Sequence, residues 1–179
     1  MFRQKAIFLF SILIFIQVGC VKTSTDLVWK EVRFNEQGYL VQCPQKNSTL
    51  DYFSINYDKK SKDGFLTCRN GGVLFHIHSM EWNVSDNAVE NEQRFFDSLD
   101  SYGTAANQEI NLKHKGKRGI QGPDTIFQST SQHFVAGKIA YHLDVSFYDK
   151  ITLNTKKGKL DENQLEIAQK YFDSFQIIE

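Results

Sequence analysis

The stretch Phe65 to Met80, FLTCRNGGVLFHIHSM, decides the fold class. Phe65 to Arg69 and Val73 to Met80 flank Asn70-Gly71, a dipeptide that tolerates the positive φ angles of a tight hairpin turn. In the second arm Val73, Phe75 and Ile77 share one face while Leu74, His76 and His78 share the other, which is the period of a half-buried strand. The arms therefore predict an antiparallel hairpin. Further along, Ile126 to Val135 and Lys138 to Tyr148 predict a second hairpin around Ala136-Gly137. Its second arm sets Ile139, Tyr141, Leu143, Val145 and Phe147 against Ala140, His142, Asp144 and Ser146. Upstream, Tyr39 to Cys43 is a short apolar strand ended by Pro44, and Leu50 to Tyr57 is a β-rich run before the polar turn DKKSKDG.

Two helical patterns accompany these strands. Asn87 to Tyr102 has Asn87 as cap with Glu90 three residues on, and Val89, Phe96 and Leu99 fall on one stripe with Phe95 beside it. Asp161 to Phe172 has Asp161 and Gln164 in capping-box spacing, and Leu165, Ala168, Phe172 and Phe175 recur at helical intervals. Hairpins with separated helices predict an α+β domain with helices packed on an antiparallel β-sheet; a parallel βαβ architecture does not fit. A chain of 179 residues, 41% of them hydrophobic, holds one domain with a substantial core.

Charge excludes one class of partner. The 21 basic and 21 acidic residues cancel, so nucleic acid finds no broad basic footprint. Lys113, Lys115, Lys117 and Arg118 form a local basic run that reads as a solvated loop.

The N-terminus has the three parts of an export signal: Arg3 and Lys5, the apolar run Ala6 to Ile16, and small Gly19 before Cys20. The apolar run is shorter than the roughly 18 to 20 residues of a membrane-spanning helix. Val18, Gly19 and Cys20 resemble the box of a bacterial lipoprotein signal, although Gln17 stands where leucine is usual. The resemblance implies cleavage before Cys20, with diacylglycerol on its sulfur and acylation of its new amine. Two or more acyl chains hold a protein on a membrane. The chain then divides into a signal peptide at 1–19, a lipidated tether at 20–28 and one domain at 29–179. Because Val21 rather than Asp follows the cysteine, the analogy points to the outer membrane if the cell is Gram-negative. With Cys20 lipidated, Cys43 and Cys68 remain in an oxidising compartment, either bridged or as two separate buried thiols.

The C-terminal QKYFDSFQII, with Trp29, Tyr39-Leu-Val-Gln-Cys-Pro44, the helix at Asn87, a Gly119 and Gly122 turn and Tyr141-His-Leu-Asp-Val145, resembles PsbP-like domains, including many bacterial secreted proteins and lipoproteins. The resemblance spans Trp29 to Ile178. It implies an antiparallel β-sheet packed between helices, an α/β/α sandwich, a fold used for binding and assembly accessories without one shared chemistry.

No residue pattern identifies a reaction. His76 and His78 alternate on one strand face and present two imidazoles to the same side, the spacing of a two-ligand metal contribution. His142 with Asp144 on another strand could supply the further ligands such a site needs, with His114 and His133 as spares. The alternative is solvated or hydrogen-bonded histidines. Gly-x-Ser-x-Gly is absent, and Gly119-Ile-Gln-Gly122 lacks the glycine pattern and following helix of a phosphate loop, so it reads as a turn. The sequons at Asn47 and Asn83 matter only in a eukaryotic secretory pathway. The expected function is a lipid-anchored cell-envelope protein that binds an envelope protein or small ligand without catalysis or cofactor. The competing expectation is a small metal carrier or metal-dependent hydrolase using His76, His78 and His142.

Overall fold

The computed structural model describes residues 27–44, 52–83, 85–101, 108–112, 117–124, 126–149 and 151–178. Cys20, His114, Lys113 and Lys115 lie outside the described residues, as does the sequon asparagine at 47. The chain forms β1 (Trp29–Phe34), β2 (Tyr39–Pro44), β3 (Tyr52–Asp58), β4 (Asp63–Asn70), β5 (Val73–Glu81), α1 (Ala88–Ser101), β6 (Gln108–Leu112), β7 (Lys117–Pro123), β8 (Ser129–Ala136), β9 (Ile139–Phe147), α2 (Glu162–Ser174) and β10 (Gln176–Ile177). All strand pairings are antiparallel, in a three-stranded sheet β1-β2-β10 and a seven-stranded sheet β3-β4-β5-β9-β8-β7-β6. The fold is mixed α+β and mostly strand.

The larger sheet is two meanders joined side by side. One is β3-β4-β5, the other β6-β7-β8-β9, and they meet where β5 pairs with β9. On one face of the sheet Leu66, Phe75, Ile77, Phe134, Tyr141, Leu143 and Val145 pack with Tyr39 and Val41 of the small sheet and with Ala168, Tyr171 and Phe172 of α2. On the other face, Val135 and Ala140 pack with Phe95 and Phe96 of α1, bordered by Met80 and Trp82. Alternation along β8 and β9 sends successive side chains to these two clusters.

Both hairpin turns sit one residue later than the sequence suggests. Asn70 pairs with Val73, so the loop is Gly71-Gly72, and both glycines have positive φ, at 59° and 100°. Two positive φ values suit a type I′ turn, and the second lies where a side chain is strained. Likewise Ala136 pairs with Ile139, leaving Gly137-Lys138 as the loop, with positive φ at Gly137 alone.

Other expectations are corrected. Gly119 to Gly122 is not a turn but part of β7, which pairs with β6 on one side and β8 on the other; pairing on both sides overrides the weak strand propensity of glycine. Lys117 and Arg118 accordingly lie in β7, not in a loop. The helical stripes are rotated. Val89 is exposed and the polar Asn91 faces inward, because Asn91 Nδ2 donates to the Trp82 carbonyl at 3.0 Å, the Trp82 indole donates to the Asn91 carbonyl at 3.0 Å, and Ser85 N donates to Asn91 Oδ1 at 2.8 Å. Leu165 is exposed in turn, while Gln164, Ala168, Tyr171 and Phe172 are buried. The capping box of α2 forms: Gln164 N donates to Asp161 Oδ1 at 2.8 Å, and Asp161 N donates to Gln164 Oε1 at 2.9 Å. At α1 the cap is shared. Asn87 Oδ1 accepts from Val89 N at 3.0 Å, whereas Glu90 turns to Ser85 Oγ at 2.8 Å instead of closing a box.

Candidate functional site: a histidine face on the larger sheet

The face of the sheet that meets α1 carries four histidines beside the apolar patch of that helix. Strand register places them. His78 of β5 stands directly opposite His142 of β9, and His142 stands directly opposite His133 of β8. One step along the strands the row is His76, Asp144 and Ser131. Directly opposed residues on an antiparallel pair have Cβ atoms about 5 Å apart, so each row brings its side chains into mutual reach.

The contacts are specific. His142 Nδ1 and His133 Nδ1 lie 2.8 Å apart, with ring centroids separated by 4.2 Å. One ring donates its Nδ1 proton and the other accepts it, so the two are opposite tautomers. His133 Nε2 contacts Ser131 Oγ at 3.0 Å. His76 Nδ1 contacts Thr67 Oγ1 at 3.0 Å. His78 stacks on Phe65, with centroids 4.4 Å apart, and among the described residues its buried Nε2 has no hydrogen-bond partner, Asp63 Oδ1 lying 3.8 Å away.

Burial sets the electrostatics. It pushes His133 down to about 4, and burial together with the neighbouring His133, His76 and His78 pushes His142 down to about 3. His76 is lowered by burial and by His78. Asp144 moves the other way, up to about 6, because burial penalises its charge more than the Ser146 hydroxyl, which donates at 2.6 Å, favours it. Near neutral pH the imidazoles of His76, His133 and His142 are neutral. The Ser131, His133 and His142 chain has the connectivity of a nucleophile, base and orienting group. A base pushed down to about 4 is nevertheless poorly matched to general-base work at neutral pH.

Of the anticipated ligands, His76, His78 and His142 do share a face, but not one point. His76 is taken by Thr67 and Asp144 by Ser146. Among the described residues no three His, Cys, Asp or Glu side chains converge as a metal-ligand group. The residue closest to His142 is His133, which the sequence offers only as a spare.

Away from this face, Cys43 of β2 and Cys68 of β4 are joined by a disulfide with Cα atoms 6.1 Å apart, tying the small sheet to the large one. Both are buried. An open groove of about 600 Å³ runs between α2 and the small sheet, lined by Glu31, Gln42, Glu166, Lys170 and Asp173 among others. Among the described residues no helix is long and apolar enough to cross a membrane. No family model, curated protein or solved structure matches the chain.

Proposed function

We propose that the chain is a lipid-anchored cell-envelope protein whose PsbP-like α/β/α domain binds an envelope protein or a small ligand without catalysing a reaction. The observation that carries this reading is the buried Cys43–Cys68 disulfide, because such bridges persist in oxidising compartments outside the cytosol. Export accounts for it, and Arg3, Lys5, the apolar run to Ile16 and Gly19-Cys20 supply the order of an export signal. The third cysteine, Cys20, is then the lipid site, and the segment from Val21 to Val28 spaces the domain from the membrane. Packing of α1 and α2 against the larger sheet supports the sandwich reading. The groove beside α2 offers a polar surface to a partner. A binding role rather than catalysis rests on the missing nucleophile motif and on the poor basicity of His133.

Cys20→Ala tests the anchor. An apolar run this short does not hold the chain in a bilayer, so the variant is expected to leave the membrane fraction. A variant that stays with the membranes after washing in high salt overturns the lipid reading.

A further inference from the structure

We propose that two adjoining turns at one end of the larger sheet, those that follow Asp124 and Asp149, dock on an anionic phospholipid surface through Ile126, Phe127, Ile151 and Leu153. The two tips are built alike. Asp124 Oδ1 accepts from Ile126 N at 2.6 Å and Phe127 N at 2.8 Å, and Asp149 Oδ1 accepts from Ile151 N at 2.9 Å and Thr152 N at 2.8 Å. Each carboxylate is engaged by its own turn, and two residues on an isoleucine stands out into solvent, Ile126 60% and Ile151 91% exposed. Phe127 and Leu153 are exposed as well, and Leu153 has φ 58°, a left-handed backbone that a bulky aliphatic residue rarely adopts. The turns are fastened to each other: Gly158 N donates to the Ile126 carbonyl at 3.0 Å, Gln128 N to the Lys156 carbonyl at 2.6 Å, and Lys156 N to the Phe147 carbonyl at 2.8 Å. Single exposed apolar side chains are ordinary, whereas four on two joined tips mark an interaction surface.

Two observations select a membrane over a protein partner. Lys156, Lys157 and Lys159 are exposed on the segment that joins the tips, and an apolar patch with a basic rim suits the headgroup level of an anionic bilayer. The chain also leaves the domain at this end. Trp29 packs edge-on against Phe75 with centroids 5.4 Å apart, and Phe75 lies two residues from Val73, which pairs with Phe147 just before the second turn. From Trp29, β1 runs away toward Phe34, which packs on Tyr39 and through it on Tyr141, near the Gly137-Lys138 turn at the opposite end. Eight residues separate Cys20 from Trp29, so under the anchoring reading, on which only this step rests, a lipid on Cys20 holds Trp29 within about 30 Å of the bilayer.

The test places an indole at a tip and another far from it, in the full chain. Ile151→Trp and Val89→Trp are both exposed positions, and Val89 belongs to the opposite end, where Trp82 N donates to the Lys138 carbonyl and Asn91 bonds Trp82. Each variant is reconstituted into vesicles of phosphatidylcholine and phosphatidylglycerol with brominated acyl chains, and its tryptophan emission is compared with that of the wild-type chain. The indole introduced at 151 is expected to lose most of its emission and the one introduced at 89 to keep it, with weaker quenching at 151 when phosphatidylglycerol is left out. An unquenched indole at 151, or equal quenching at 151 and 89, overturns the membrane surface and leaves the tips to a protein partner. Quenching at 151 that ignores phosphatidylglycerol overturns the claim on anionic headgroups. Flotation confirms that the chain is on the vesicles, so quenching reads the tips while fractionation of Cys20→Ala reads the anchor, and either can fail alone.

Discussion

Tyr171 is buried in the last turn of α2, and among the described residues its hydroxyl finds no hydrogen-bond partner. An unpaired buried hydroxyl costs desolvation without return, while the ring contributes packing against Phe75, with centroids 4.9 Å apart. Tyr171→Phe keeps the ring and removes the penalty, so its melting temperature should rise, by the equivalent of about 1 kcal/mol; a fall would mean that the hydroxyl has a partner. One residue along, Phe172 is 1% exposed against the sheet, whereas Asp173 is exposed and accepts from Gln169 Nε2 at 2.8 Å. Phe172→Ala should therefore cost about 3–5 kcal/mol and Asp173→Ala within about 0.5 kcal/mol, an ordering that thermal melts decide. At this scale the sequence was informative where hydrophobicity dictates placement. It placed Phe172 correctly, yet it put Val89 and Leu165 inward, because the residues that turn in are Asn91 and Gln164, held by hydrogen bonds that an apolar stripe does not encode.

Elements depend on register, and register explains what the sequence hid. A hairpin looped at Ala136-Gly137 would set His133 opposite Ala140, whereas the loop at Gly137-Lys138 sets it opposite His142. A shift of one residue in a turn therefore separates a lone histidine from a paired one, and turn chemistry alone does not resolve it, since glycine serves at either central position. The alternation of His76 and His78 on β5 was legible because it needs no partner strand. At the start of α2, Asp161→Ala removes one half of a closed capping box and should cost about 1–2 kcal/mol. Gly64 at the start of β4 is tighter still. A Cβ there would stand 2.6 Å from Gln37 Cγ and 2.7 Å from Ser79 Oγ. Gln37 has little room to yield, since its Nε2 donates to the Lys62 carbonyl at 3.1 Å and its own carbonyl accepts from the Tyr141 hydroxyl at 2.9 Å. Gly64→Ala should destabilise by about 1–3 kcal/mol; denaturant unfolding with an unchanged midpoint would show that the 3₁₀ turn at Asn35–Gln37 moves freely.

The molecule as a whole is held at two seams. One is the β5–β9 pairing that joins the meanders, and the histidine row crosses it, His78 from one side and His142 with His133 from the other. The other seam lies between the sheets. There Tyr39 and Val41 of β2 pack on the core of the larger sheet, and the tie is carried by side chains and by the Cys43–Cys68 bridge. Closing a loop of 25 residues restrains the unfolded chain by roughly 3.5 kcal/mol in the chain-entropy description, a sizeable part of the roughly 5–15 kcal/mol that holds a domain together. Both sulfurs are buried, so reductant should reach them only as the small sheet lifts or the domain unfolds. A melt of the wild-type chain after complete reduction, verified by counting free thiols, should therefore fall by roughly 10 °C. The Cys43→Ala, Cys68→Ala double variant should melt near that lower temperature and be indifferent to reductant. Equal melting of oxidised and reduced wild type would mean that core packing alone joins the sheets and that the bridge adds no stability.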